Sequence, residues 1–440
     1  MDDDADARLP PEMADRFTEP FARFLKIKAA SGGLLLLAAC VALVVSNSAW
    51  SAPFLAFWDT PLGLRFGSLD FSRSLRHWVN EGLMTLFFLA VALELKRSFS
   101  LGELRNLHVA ALSLAGALGG MLVPAGLYLL LLDGQPGMSG WGTVVATDTA
   151  FVVGSLALLG ARVPPGLHLF LLSLAIFDDV GAILIVAAVG YGDPLNWSAL
   201  AGALLGVAAV AGVARTGVRN AAVYLLLGLA IWLCMDASGI HPTVTGIVLG
   251  LMASTRGWVS DRRLHAILAR VLAYPHGDHW GGGTADSGDL RRAAIAATEA
   301  LSPEERLETA LHPWVGFAVV PIFALANAGI VVSGTDFRQP LVLAIIGGLV
   351  LGKPIGVLAF SWLAVRLGVA RRPSGLSWRQ LSAGALLTGI GFTMSLFIAG
   401  VAYAPAMFNA AKLGILSGSL CSATAGILML AWLASQRRGA

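Results

Sequence analysis

The stretch LHLFLLSLAIFDDVGAILIVAAVG, Leu167 to Gly190, decides the fold class. It is apolar almost throughout, and about 20 such residues in a helix cross the hydrocarbon core of a bilayer. Counted from Leu167 to Val189, Asp178 is the twelfth of 23 residues, so Asp178 and Asp179 fall at mid-span. Consecutive helical residues point about 100° apart, so the two carboxylates face different neighbours. Ionisable groups at that depth are costly, roughly 2.5–3.5 kcal/mol each on insertion scales, and they turn inward to a protein interior. One buried acid serves as well as a hydrogen-bonded lock between helices. Two side by side repel when ionised. Such a pair holds protons near neutral pH and yields them to a small cation, which is the chemistry of a proton-coupled cation carrier.

The rest of the 440-residue chain reads the same way. It is 56% hydrophobic and 13% charged, against about 25% charged in soluble domains. Apolar blocks lie near 29–49, 80–99, 106–132, 141–160, 167–190, 197–214, 220–235, 239–254, 314–332, 340–366, 378–401 and 405–434. They predict an all-α membrane protein of about 12 transmembrane helices. None alternates with period two, so a transmembrane barrel is not expected. With the N-terminus inside, 24 Lys and Arg fall in inside segments and four, Arg65, Arg73, Arg76 and Arg338, fall outside. That bias follows the positive-inside rule and predicts a multi-pass inner-membrane protein with both termini cytoplasmic. The net charge of +3 is therefore a topology signal and does not point to nucleic acid. Cys40, Cys234 and Cys421 all lie in apolar blocks and imply no disulfide framework. The acidic start MDDDADA lacks the basic n-region of a cleavable signal.

The expected organisation is a cytoplasmic segment over 1–28, a transmembrane domain over 29–434 and a cytoplasmic tail over 435–440. FTEPFARFLKIK in the first segment suits an interfacial helix. Within the domain, 50–77 is an outer connection and 255–313 a long cytoplasmic loop. FWDTPLGLRFGSLDF (57–71) reads either as a small hairpin around Pro61-Leu62-Gly63 or as an irregular loop. HGDHWGGGTADSGDL (276–290) has histidines and aspartate at metal-like spacing, but its glycines favour a solvated, mobile linker.

Two further spans carry polar residues at their centres. In WGTVVATDTAFVVGSLALLG (141–160), Thr147 and Asp148 interrupt the apolar run, and threonine oxygens there bond freed backbone or ligate a hard cation. TGIGFTMS (388–395) is Gly-rich and polar at mid-span, the pattern of a broken helix lining a cavity. One interruption in each half is the mark of an inverted-repeat transporter. Lys353 stands deep in its block between Gly352 and Pro354, while Glu81, Glu94 and Lys412 lie nearer helix ends.

NEGLMTLFFLAVALELKR, ATDTAFVVGSLALLG, LAIFDDVGAILIVA, HPWV, PIFALANAG, LGKPIGV and GIGFTMSLFIA, in this order from about Lys28 onward, resemble the bacterial NhaA-type sodium/proton antiporters. This resemblance implies inverted repeats, with two broken helices crossing near the midplane and a small outer-face β-hairpin at about 56–71 that makes a homodimer contact. It implies exchange of Na+ or Li+ for H+ that is electrogenic and pH-regulated and needs no cofactor. Asp179 then matches the sodium-binding carboxylate and Asp178 its partner in proton exchange. Thr147 and Asp148 match the pair at the first break and belong with Asp178 and Asp179 to the Na+/H+-binding set, and Lys353 matches the lysine that compensates charge. Glu94, Glu308 and His312 match a pH-responsive cytoplasmic cluster. The chain departs from the pattern at Ser98, Glu305 and Thr309 and in a longer insert over 274–302, all near that cluster. Sodium-coupled uptake of an organic solute is the alternative within transport, but few polar residues lie beyond the ion site to line a cavity. An intramembrane aspartyl protease is the alternative outside it. That chemistry places one aspartate on each of two helices, whereas Asp178 and Asp179 are adjacent.

Overall fold

The structure is a computed structural model that describes residues 28–66, 69–100, 107–160, 163–189, 195–272, 285–331, 336–373 and 375–436. Residues 1–27 of the expected N-terminal segment and 437–440 of the expected tail lie outside these residues. Helix accounts for almost everything described, as apolar blocks demand where backbone polar groups must be satisfied within the chain.

All twelve apolar blocks carry helix. The long ones are α1 (Lys28–Ser46), α3 (Leu75–Ser100), α4 (Leu107–Leu131), α6 (Pro165–Val189), α7 (Trp197–Arg215), α8 (Ala221–Ser238), α12 (Pro303–Asn327), α13 (Pro340–Arg366) and α16 (Pro405–Gln436). Short helices complete the set: α2 (Ser51–Trp58), α5 (Thr149–Leu159), α9 (Val244–Met252), α10 (Asp261–Leu272), α11 (Ala285–Ala300), α14 (Trp378–Thr388) and α15 (Phe392–Ala402). Among the described residues, eight helices are long and apolar enough to cross a membrane, or nine with the bent pair α14–α15. The difference from twelve has local causes. The block at 141–160 is divided into a tight 3-10 helix (Met138–Val144) and α5. α9 is only nine residues long because it begins after His241-Pro242.

The 50–77 connection does contain a hairpin. β1 (Pro61–Phe66) pairs antiparallel with β2 (Leu69–Ser74), from Pro61↔Ser74 to Phe66↔Leu69. The reversal therefore falls between Phe66 and Leu69, and Pro61-Leu62-Gly63 belongs to the first strand. Pro61 opens that strand, a position where its missing N–H costs no ladder bond. The linker expected over 276–290 is also corrected in part, since 285–290 forms the start of α11. An Arg292–Asp289 pair at 3.2 Å spans one turn there, and the alanines beyond it are strong helix formers.

The central packing brings α4 and α13 into backbone contact. A side chain at Gly119 would run into the Gly356 carbonyl, and one at Gly356 into that of Gly119. A side chain at Gly352 would meet Pro124 on the same interface. Small residues allow this approach in a membrane protein, where dispersion rather than hydrophobic exclusion holds helices together. α4 also touches α6, through Gly116 against Phe170 and Leu174 and through Met121 against Gly181. α4 thereby holds α13 and α6 side by side. α7 and α8 pack on each other around Ala203, Val210, Ile231 and Met235, apart from the main core.

Candidate ion site

Two breaks meet beside α6. The first runs from Val145 to Asp148, between the 3-10 helix and α5. The second runs from Gly389 to Gly391, where α14 and α15 diverge by 42°. A side chain at Gly389 would strike the Leu349 carbonyl, and one at Gly391 would have to displace the Ser395 hydroxyl. The breaks bond to each other. Asp148 N donates to Ile390 O at 2.7 Å, and the Thr147 hydroxyl lies 2.9 Å from Thr388 O.

Each freed helix end has a partner. Asp148 is buried and caps α5 by accepting from Phe151 N at 3.1 Å. Its other oxygen accepts from Thr393 N at 3.0 Å and from the Thr393 hydroxyl at 2.5 Å. One carboxylate thus faces the positive ends of two helices, where negative charge is favoured. Ser419 of α16 accepts from Gly391 N and Phe392 N at 3.2 and 3.1 Å. At the opposite polarity, Lys353 Nζ donates to Val145 O, at the end of the 3-10 helix.

Lys353 also makes the central ion pair, with Nζ 3.0 Å from Asp178 Oδ2 and both side chains 0% exposed. The widened turn Gly348–Gly352 precedes it, as expected where Pro354 has no N–H to continue the ladder. The Thr147 hydroxyl lies 2.6 Å from the same Asp178 oxygen. Asp178 Oδ1 is buried without a hydrogen-bond partner among the described residues. Asp179 is 7% exposed, and among the described residues the Thr149 hydroxyl lies 3.4 Å from its Oδ2. Asp148, Asp178 and Glu94 all lie within its electrostatic reach.

Thr147, Asp148, Asp178, Asp179 and Lys353 therefore come together around one point. Glu94, on α3, lies within electrostatic reach of Asp179. Glu308 is not part of this group: it pairs with Arg97 on α3 at 3.0 Å, beside the buried Glu304, whose Oε1 has no partner among the described residues. His312 follows one turn later on α12. Lys412 is buried elsewhere, donating to Gly329 O at 3.1 Å. Glu81 is buried beside His241 Nδ1 at 3.4 Å. Thr393, and the carbonyls of Thr388 and Val145, are structural partners that sequence reading did not single out. The polarity of the TGIGFTMS run was the available signal for Thr393.

Residues 22–430 match the Na+/H+ antiporter 1 family. The Na(+)/H(+) antiporter NhaA of Rhizobium meliloti (strain 1021) is 58% identical over 435 residues, covering 99% of each chain. Na(+)/H(+) antiporter NhaA 2 of Acidiphilium cryptum (strain JF-5) is 58% identical over 96% of this chain and 94% of its own. Na(+)/H(+) antiporter NhaA 2 of Vibrio vulnificus (strain CMCP6) is 48% identical over 98% and 96%. A solved structure of the sodium proton antiporter MjNhaP1 from Methanocaldococcus jannaschii aligns with TM-score 0.45 and 16% identity, over 96% of this chain and 94% of that one. Matched along nearly its whole length, the chain is a multi-pass membrane protein and belongs to the Na+/H+ antiporter 1 family.

Proposed function

We propose that the Na+/H+ exchange of this family runs, in this chain, through competition of both ions for the carboxylates of Asp178 and Asp179. The protein is a transporter and not an enzyme. The observation that carries the site assignment is unequal provision for three buried acids. Among the described residues Asp148 has helix N-termini and Thr393, and Asp178 has Lys353 and Thr147, whereas Asp179 has only a distant hydroxyl. A buried carboxylate so poorly paired must be neutralised, since an isolated buried charge costs far more than a proton or cation. The free Oδ1 of Asp178 and the threonine oxygens are hard donors of the type Na+ or Li+ takes.

In this reading one face opens and the pair releases protons as it takes up Na+. The loaded carrier reorients between faces, and the other face reverses the exchange. Asp148 and Lys353 hold the two breaks together in both states, and inverted repeats relate the halves that carry them. Glu308 and His312, with Glu94 as the link to the ion site, set the pH response. The orientation is that of the bacterial inner membrane, with the transmembrane domain spanning 29–434, both termini cytoplasmic and homodimerisation through the hairpin.

The test is Asp179→Asn in proteoliposomes. Na+-dependent proton flux is expected to vanish while expression and melting temperature hold. Exchange at the unmutated rate removes Asp179 from the site.

A further inference from the structure

The ion chemistry leaves one pair of helices without a task. α10 follows the end of α9 closely, and α11 leads into α12. α11 is fastened where three long apolar helices end. Glu299 near its C-terminus lies 3.1 Å from Arg306, on the first turns of α12, and 3.3 Å from Arg219, in the turn between α7 and α8. The Arg219 guanidinium lies 3.6 Å over the Trp258 ring. Trp258 N and Val259 N donate to the Glu299 carbonyl at 3.0 and 3.2 Å. Gly257 lies so close to the Ala300 carbonyl that a side chain there would collide. The pair is therefore held at the level where spans meet water.

α10 packs on α11, and Leu264, Ile267 and Val271 form a half-buried face of α10. The neighbouring flank shows Leu268 and Leu272, 37% and 82% exposed, and Ile295 on α11 is 57% exposed. The polar side of α10 carries Arg262, Arg263 and Arg270, all exposed and without an ion pair among the described residues. An amphipathic helix with leucines on one side and arginines on the other lies in a membrane interface, its apolar strip at the acyl boundary and its charges drawn to anionic lipid.

We propose that α10 and α11 form an interfacial element. Leu268, Leu272 and Ile295 enter the boundary of the lipid leaflet, and Arg262, Arg263 and Arg270 bind it through anionic phospholipid headgroups. A second copy of the chain is a poorer occupant, because three apolar side chains fall far short of the roughly 800 Å² per partner that a stable interface buries.

The test uses full-length protein with Cys40, Cys234 and Cys421 changed to Ala and Leu272→Cys labelled with an environment-sensitive fluorophore. It is reconstituted into vesicles of phosphatidylcholine alone or mixed with phosphatidylglycerol, each with and without acyl-chain quencher lipid. Emission is expected to shift to the blue and be quenched from within the bilayer when phosphatidylglycerol is present. Each arginine contributes about fivefold near such a surface, so Arg262→Gln, Arg263→Gln and Arg270→Gln together weaken docking on the order of a hundredfold. Leu268→Cys gives the same reading if the label at 272 perturbs folding. A label open to aqueous iodide in both vesicle types overturns the proposal. So does lipid quenching indifferent to the arginines, or cross-linking of the label site between two copies. Sodium-dependent proton flux is measured in the same vesicles, so failure here leaves the ion-site reading intact.

Discussion

Among the described residues Lys353 is the one basic side chain beside the carboxylates of the site, and it serves two helices at once. It pairs with Asp178 at 3.0 Å and also meets the last carbonyl of the 3-10 segment. Breaking a buried ion pair by removing one partner costs about 3–5 kcal/mol, because the other charge stays behind. Lys353→Ala is therefore expected to lower the melting temperature by many degrees and to alter the pH profile of exchange. An unchanged melting curve and profile would show that the pair contributes nothing. Thr393→Val is a milder probe. It removes a 2.5 Å hydroxyl bond to Asp148 while leaving the Thr393 N–H in place, so about 1.5–3 kcal/mol of stability is expected to go. A change below experimental error in thermal unfolding would contradict that. The charged residues at mid-span were legible in the sequence, because hydropathy alone exposes them. Their partners were not. Thr393 and Asp148 are 245 positions apart, and no periodicity or composition reports which distant break a side chain will reach.

Helix existence could be read from apolar blocks, and the breaks from polar and glycine residues inside them. The hairpin turn was harder. Pro-Leu-Gly is a common turn signal, yet Pro61 starts a strand whose register places the reversal beyond Phe66. The contact between α4 and α13 could not be read at all, since glycine is abundant throughout and nothing marks Gly119 and Gly356 as facing residues. That contact makes a prediction at the level of elements. In Gly356→Ala the added methyl would meet the Gly119 carbonyl, part of a backbone that cannot swing aside. Overpacking of this kind costs typically about 1–3 kcal/mol. Because Lys353 lies one turn away on the same helix, exchange is expected to fall along with stability. Gly33→Ala, where an added Cβ has open space, is the control expected to change neither. Equal melting temperatures and fluxes for the two variants would show that α4 and α13 separate easily.

For the molecule as a carrier, the central question is whether Na+ and H+ share one site or act at two. Two adjacent buried carboxylates, with Lys353 committed to one of them, cannot both stay ionised without a cation between them. Added Na+ supplies that cation and drives protons off, whereas added protons neutralise the carboxylates and drive Na+ off. Competition has a quantitative signature. Where one exchangeable proton dominates, the apparent KM for Na+ is expected to rise about tenfold for each unit fall in pH, and more steeply where two do. Maximal rate at saturating Na+ changes much less, because enough cation displaces the proton. The measurement is KM and maximal rate together across the acid side of the activity profile, in vesicles of fixed internal pH. The Arg97–Glu308 pair and the buried Glu304 offer the contrasting arrangement, a charged cluster outside the ion site. If protons act there instead, KM stays flat while maximal rate falls with pH, because a site switched off from a distance still binds Na+ as before. Glu308→Gln separates the two cases. Under competition it leaves the slope of KM against pH unchanged, since that slope is set by the carboxylates of Asp178 and Asp179, whereas if protons act at the cluster it moves the pH at which the maximal rate falls.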